Sequence, residues 1–559
     1  MRLLVLIAIA GALLVAVKWA FLHGRRLPRH RVHFLRIRLL LRLHPGKGHA
    51  NLVELWWRWG RLAVLRHARR SRPSLGLGGC LLSPASAYSV LLARAHYRRT
   101  LRLPLDEHAV IFSPPRAGKT GWLARIVAHY PGPVVSTTTK HDVLQLTSGI
   151  RSRVGPVHVF NPQGIADVLS TFRWNPLDGC EDPAVAIRRA DAFASSVSQK
   201  GVEDASFWAG KASDYLRAYF HAAAIAGLDL RHVARWVSGI RAEEPEAILL
   251  SAPGAAQHLA DQLSEMHGEA NKTISTVRMT MSRSLAFLAD PALAAAVLPR
   301  PGQSFNVAEF LRERGTLYLI AETRGDDAPV APLFACLASE VHYVAGLLGS
   351  RSAGGRLDPP LLMALDEVTQ ICPVPVPSWL ADSGGKGIQI ITVAHGEAQL
   401  RSRWGRDGAR VIMDTSGVKL WLHGISDPAI LQAASTLCGT AALRERRAWT
   451  WRRRPYDGYA RHPVMTPEMV RQLPGRFALI IRGGMSPVVG HLPMAWNDPA
   501  YMRARRAEQL IPALAPPEPQ QSFHGGPGES VKSWPVTDLE PEPLSLAAIP
   551  DEPAEYPWH

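Results

Sequence analysis

The chain has 559 residues, 47% of them hydrophobic and 20% charged, and carries 64 Lys and Arg against 47 Asp and Glu for a net charge of +17. That length allows about three or four domains, and the composition excludes a wholly disordered chain. It also excludes a polytopic membrane protein, because only one stretch, near the start, is long and apolar enough to span a bilayer.

Leu3 to Val17 is an unbroken run of apolar residues and Gly11, extended by Trp19-Ala-Phe-Leu22 after Lys18. Residues 1–24 are therefore expected to be a transmembrane anchor. Arg25, Arg26, Arg29 and Arg31 follow it and only Arg2 precedes it, which puts the bulk of the chain in the cytoplasm. A cleaved signal peptide is the rival reading, but it would carry its charge before the apolar run. Residues 25–100 read as a basic juxtamembrane region: residues 1–105 hold 20 Lys and Arg and a single acid, Glu54. This surplus lies beside the span, so lipid headgroups compete with nucleic acid as its partner. Trp56, Trp57 and Trp59 alternate with Arg58, Arg61 and Arg66, which suits either a membrane-surface helix or one packed on the protein's own body.

From residue 101 the rhythm is apolar strand, loop, helix, strand, as in an α/β parallel sheet. Strands are expected at His108–Phe112, Pro133–Ser136 and Val157–Phe160. Residues 101–180 would form the first part of a P-loop domain. Residues 181–300 are Ala- and Leu-rich with helical periodicity and no convincing strand, an inserted all-α domain. Strands resume in 301–497 at Thr316–Ile320, Leu361–Leu365, Ile388–Val393 and Val418–Leu422, with Phe477–Ile481 as an edge strand. Residues 498–559 turn acidic and Pro-rich and read as a disordered tail. The five cysteines are odd in number and widely spaced, which fits a reducing compartment and no disulfide framework or zinc site.

Three segments carry chemistry. Ser113-Pro114-Pro115-Arg116-Ala117-Gly118-Lys119-Thr120 follows a strand and opens a helix, where backbone N–H groups wrap phosphates. Lys119 would reach the β- and γ-phosphates of ATP and Thr120 would ligate Mg²⁺. Ser113 stands where the usual pattern has Gly, a change tolerated if that residue keeps φ below zero. The second segment is the strand ending in Asp366-Glu367, with Asp366 at Mg²⁺ and Glu367 polarising the attacking water. The third is His395, at the tip of Ile388–Val393, placed to sense the γ-phosphate or hold the water, or else a structural histidine. An arginine from a neighbouring subunit often assists hydrolysis; Arg401, Arg403, Arg406, Arg410 and Arg444 are candidates. Arg444 to Arg454 interleaves Trp449 and Trp451 with arginines, a pattern for phosphates and unpaired bases or for a solvated loop.

From about Arg69 to Asn497 the chain resembles the type IV coupling proteins, the membrane-anchored ATPases of conjugative DNA transfer. The segments that carry this are Ile111–Thr120, Phe160-Asn-Pro-Gln163, Phe172-Arg-Trp-Asn-Pro-Leu177, Leu362–Glu367, Gly387–Ile391 with Gln399-Leu400, and Val464–Glu468. The resemblance implies a RecA-like ATPase domain with an all-α insertion, assembled as a homo-hexamer in the bacterial inner membrane. Its partners would be relaxase-bound, single-stranded DNA and the components of a type IV secretion channel. Lys119, Thr120, Asp366 and Glu367 match the family motifs. At the His395 position the family usually has Gln, and Lys386 stands near a position where it often has Arg. An FtsK-like double-stranded DNA pump and a non-hydrolysing, membrane-tethered DNA receptor are the alternatives; an acidic tail in place of a DNA-reading domain argues against the first, and intact Lys119, Asp366 and Glu367 against the second.

Overall fold

A computed structural model describes residues 48–96, 99–197, 205–268, 271–300, 302–323, 328–352, 354–446 and 457–510. The expected span at 1–24, the Trp449–Trp451 segment and the acidic tail lie outside the described residues.

Eleven strands make one sheet. In chain order they are β1 (Ser89–Arg94), β2 (Thr100–Pro104), β3 (Ala109–Phe112), β4 (Val134–Thr138), β5 (Val157–Phe160), β6 (Thr316–Ile320), β7 (Leu361–Leu365), β8 (Ile388–Ala394) and β9 (Val418–Leu422). Strands β10 (Thr440–Arg446) and β11 (Asp457–Pro463) pair apart as a two-stranded ribbon, and β12 (Phe477–Arg482) and β13 (Val488–His491) complete the large sheet. Its order is β2-β1-β13-β12-β9-β3-β8-β7-β4-β6-β5. The seven strands from β9 to β5 run parallel.

These strands read as apolar runs because both faces are covered. Val110 and Phe112 point into one core with Met363, Leu365, Ile388 and Phe334 of the helix Ala331–Ser350. Ile111, between them, points into the other with Leu362, Ile391, Leu420 and Trp122 of the helix Lys119–His129. Ala331–Ser350 is the one helix among the described residues long and apolar enough to cross a membrane, but 61% of its apolar window is buried, so it belongs to the core.

The strand at Phe477–Ile481 differs from expectation. β12 is not an edge: it pairs antiparallel with β9 on one side and β13 on the other, and β13 continues to β1 and β2. The sheet therefore extends into residues read as juxtamembrane. Trp59 is fully buried in the sheet's core, whereas Trp56 and Trp57 are exposed, so the Trp-rich segment faces both ways. It is tied down by Arg482, which donates to both the Glu107 carboxylate and the Arg58 carbonyl, and by Glu54, which accepts from the Ser486 amide at 2.9 Å.

Between β5 and β6 the described residues form helices, the longest being Pro183–Ser196, Ala205–Ile225 and Asn271–Ser284. The Trp174-Asn175-Pro176-Leu177 turn joins them to the sheet. Buried Arg189 donates to the Pro176 and Asp178 carbonyls at 2.6 Å, lies over the Trp174 ring, and reaches Glu340 at 3.5 Å. Residues up to 507 form one compact unit; of the unit 508–559, the described part is the end of the helix Pro499–Leu510.

Candidate nucleotide-binding site

The loop from Ser113 to Gly118 leaves the carboxyl end of β3 and enters the helix Lys119–His129. Its turns need left-handed backbone at two places: Gly118 has φ 93° and Arg116 φ 62°. Glycine serves the first freely, and the second stores strain of about 1 kcal/mol. Ser113 is not among the residues with positive φ. Its amide donates to the Ala394 carbonyl at 3.1 Å and its hydroxyl to the Pro114 carbonyl at 3.1 Å. A side chain is accommodated at this position because the backbone there does not need glycine.

Asp366 and Glu367 stand at the end of β7, and β8 lies between β7 and β3. Lys119 Nζ contacts Glu367 Oε1 and lies 3.2 Å from Asp366 Oδ1. The His395 ring closes the group: Nε2 is 2.8 Å from Glu367 Oε1 and Nδ1 is 2.9 Å from the Ser113 carbonyl. The His395 amide is held by Gln399 Oε1 at 3.0 Å. Glu367 has φ 50°, left-handed for a residue with a side chain, and so turns the chain off β7 under strain. The Thr137 hydroxyl on β4 donates to the Asp366 carbonyl at 2.7 Å and pins this turn.

The electrostatics follow from burial and from these contacts. Burial pushes the Asp366 carboxyl above its usual range, and the Lys119 charge offsets only part of that. Burial acts the same way on Glu367, but the His395 hydrogen bond and the Lys119 charge outweigh it and hold Glu367 below its usual range. Lys119 loses solvation too, yet the two carboxylates raise its pKa overall. The Glu367 hydrogen bond raises His395 against its own burial.

Asp366 Oδ1 is buried, with the Lys119 ammonium 3.2 Å away as its neighbour but no well-aligned hydrogen bond. Such an oxygen fits a hard divalent cation, which Mg²⁺ takes from one or two carboxylates plus water and substrate phosphates. Among the described residues no cluster of three or more His, Cys, Asp or Glu builds an all-protein cage. Thr120 opens the same helix and is half-buried. Pro115 and Arg116 are exposed at the loop's rim, and Pro114 and Ala117 pack below it.

The candidate arginines behave differently. Arg403 donates to the Ser195 carbonyl at 3.1 Å and to that of Ser196, and so ties the end of the helix Pro183–Ser196. Arg401 pairs with Glu397 and Arg410 with Asp414, one turn along their own helix. Arg406 is exposed, and the Arg444 side chain lies outside the described residues. Lys386 pairs with Asp382 on the helix Val376–Lys386. None of these reaches the phosphate loop of its own chain in the contacts described. Sequence reasoning did not foresee Thr137, Gln399 as a brace, or Met494 and Trp496 against the loop's helix; these depend on three-dimensional register. A cavity of about 500 Å³ lined by Gln163, Phe287, Asp290 and Pro329 lies elsewhere. Its polar groups are already committed, Gln163 to Glu322 and Asp290 to the Ala292 amide.

A loop between a strand and a helix, its lysine in contact with an acidic pair two strands away across β8, sits in an α/β fold with seven parallel strands. Residues 66–515 match the family described as Type IV secretory system Conjugative DNA transfer, and the chain belongs to that family. Among solved structures, its fold is similar to the bacterial conjugative coupling protein TrwBdeltaN70 in its unbound form (TM-score 0.54, 16% identity, covering 74% of this chain and 91% of that one). It is likewise similar to the plasmid coupling protein TrwB in complex with ADP and Mg²⁺ (TM-score 0.51, 16% identity, 70% and 88% covered). No curated protein matches the sequence.

Proposed function

We propose that this protein is a membrane-anchored, Mg²⁺-dependent ATPase that couples relaxase-bound DNA to a type IV secretion channel and drives its transfer. The observation that carries the proposal is the position of Lys119, at the mouth of the phosphate loop and within reach of both Asp366 and Glu367. Family membership and the nucleotide complexes recorded for TrwB support it.

In this reading Mg²⁺, when bound with ATP, neutralises phosphate charge at Asp366 and Thr120. Lys119 exchanges its carboxylate contacts for the β- and γ-phosphates, which frees Glu367. Glu367, held as a carboxylate below its usual pKa, accepts a proton from the attacking water. His395 fixes the Glu367 carboxylate and, through the Ser113 carbonyl, links it to the first residue of the phosphate loop. Assembly as a hexamer would place a neighbour's cation at the open side of the site. Single-pass anchoring by residues 1–24, with the bulk of the chain in the cytoplasm, belongs to the same proposal.

Glu367→Gln and Lys119→Ala test the site. Glu367→Gln should bind Mg·ATP and lose turnover by about a hundredfold or more, whereas Lys119→Ala should lose binding as well. Undiminished turnover in Glu367→Gln would overturn the assignment.

A further inference from the structure

A polar cavity lies at the far end of the helix Lys119–His129. A cavity of about 220 Å³ is lined by Ser86, Ser89, Arg102, Arg125, Ile126 and His129 among others. Arg125 is paired with Asp498. His129 is brought down to about 4 by burial and by Arg125, so at neutral pH it is uncharged and donates from Nε2 to Asp498 at 2.9 Å. The single acid is thereby spent. Arg102 has a different status: its one hydrogen bond among the described residues goes to Ser89 Oγ at 3.3 Å, and no carboxylate there pairs with it. Burial disfavours its charge, and Arg61 adds to that. The Ser89 hydroxyl is donated to the Ala85 carbonyl, which leaves a half-buried guanidinium, the Ser86 hydroxyl and a second arginine in the cavity as a receptor for an anion. Its planar donors and the Ser86 hydroxyl match phosphate oxygens.

Arg61, near enough to Arg102 to disfavour its charge, links the cavity to a solvent-facing apolar helix that bears on the source of the phosphate. The helix Gly76–Leu82 presents Leu77, Leu81 and Leu82 to solvent at 61%, 59% and 89% exposure. Arg61 holds its end, donating to the Leu81 carbonyl at 2.9 Å and the Ser83 carbonyl at 3.2 Å. Ser86 follows Leu82 by four residues, a span of at most about 14 Å. Trp56 and Trp57 are exposed as well, with the Arg66 guanidinium 5.2 Å from the Trp57 ring, the amphipathic pairing found at membrane interfaces. Exposed leucines offer nothing to a nucleic-acid backbone, whereas a lipid takes both features at once.

We infer that this pocket binds the phosphate of an anionic phospholipid headgroup, with Leu77, Leu81 and Leu82 seated in the acyl region. Choline headgroups are disfavoured because their ammonium faces Arg102 and Arg125. The inference rests on the membrane placement proposed above and not on ATP turnover. A full-length chain found soluble would sink the placement, while a membrane-bound chain without Arg102-dependent lipid binding would sink the pocket alone.

The test is native mass spectrometry of the full chain in detergent, titrated with phosphatidylglycerol or phosphatidylcholine. Glycerol 3-phosphate, inorganic phosphate and a short single-stranded oligonucleotide serve as competitors. Phosphatidylglycerol should be retained about tenfold better than phosphatidylcholine, and Arg102→Gln should reduce that retention about tenfold or more. Ser86→Asp, which places a negative charge in the cavity, should act alike and guards against a folding defect in Arg102→Gln. Leu82→Ser, at a fully solvated position, should weaken lipid but not glycerol 3-phosphate, and Leu169→Ser should change nothing. Retention indifferent to headgroup, or to both pocket variants, overturns the inference. So does displacement by equimolar inorganic phosphate, which would make the ligand a free phosphate, or by the oligonucleotide, which would make it nucleic acid.

Discussion

His395 faces an acceptor on each ring nitrogen, the Ser113 carbonyl and the Glu367 carboxylate. A neutral imidazole has one N–H and satisfies one of them; the imidazolium satisfies both. Because the folded pKa of His395 lies above 6.5, its contribution to stability is fully present below 6.5 and is lost as pH rises through the raised value. Glu367 must stay ionised, and its folded pKa lies below 4.5, so its contribution is lost only as pH falls through that lower value. The window is therefore about 4.5 to 6.5. The melting temperature of wild type minus that of His395→Ala should be larger at pH 6 than at pH 9; a difference independent of pH would refute the bridging imidazolium. Sequence patterns singled out Lys119, Asp366, Glu367 and His395, and the structure brings these four side chains together. Those patterns were not enough to reveal that His395 bonds to the loop residue that departs from the motif. That contact spans 282 positions and depends on β8 lying next to β3.

The phosphate loop's helix is positioned by glycine as much as by apolar packing. A Cβ at Gly121 would stand 2.0 Å from the Trp496 ring, a rigid neighbour on the short helical turn Ala495–Asn497. Gly121→Ala should cost about 1–3 kcal/mol of unfolding free energy through overpacking. Trp496→Ala in the same chain should recover part of it, giving a coupling measurable by denaturant titration; additive costs would show that the ring does not hold the helix. At this scale the parallel strands were legible because strands buried on both faces are continuous apolar runs. The antiparallel extension was not. β1 and β2 carry Arg94 and Arg102 on partly exposed faces, and they follow a stretch so basic that charge obscured their alternation. β12 looked like an edge because its partner β13 is only four residues long.

The antiparallel end of the large sheet takes β1 and β2 from early in the chain and β12 and β13 from late in it. β1 and β2 cover the edge of β13, and Trp59 seals the core beneath. A chain starting at residue 101 loses β1 and the start of β2, which bares the β13 edge and part of the apolar core. It should aggregate on expression, whereas a chain starting at residue 48 should stay monodisperse by size exclusion; a well-folded product from residue 101 would show the extension to be dispensable. Domain boundaries drawn from charge alone would have chosen the harmful cut. The charge asymmetry also carries meaning only at this scale. In the described N-terminal part, Arg61 and Arg72 are committed to carbonyls and a carboxylate within the body, so a basic composition here does not by itself argue for DNA.

We propose that ATP hydrolysis at the Lys119 site powers movement of DNA. This is tested most directly by ATP hydrolysis of the full chain in phosphatidylglycerol-containing nanodiscs, with and without single- and double-stranded DNA, beside Glu367→Gln. Turnover that rises with single-stranded DNA and vanishes in Glu367→Gln is the expected result. Turnover indifferent to DNA of either form, or nucleotide binding without any turnover, would contradict the account and leave a tethered receptor in its place.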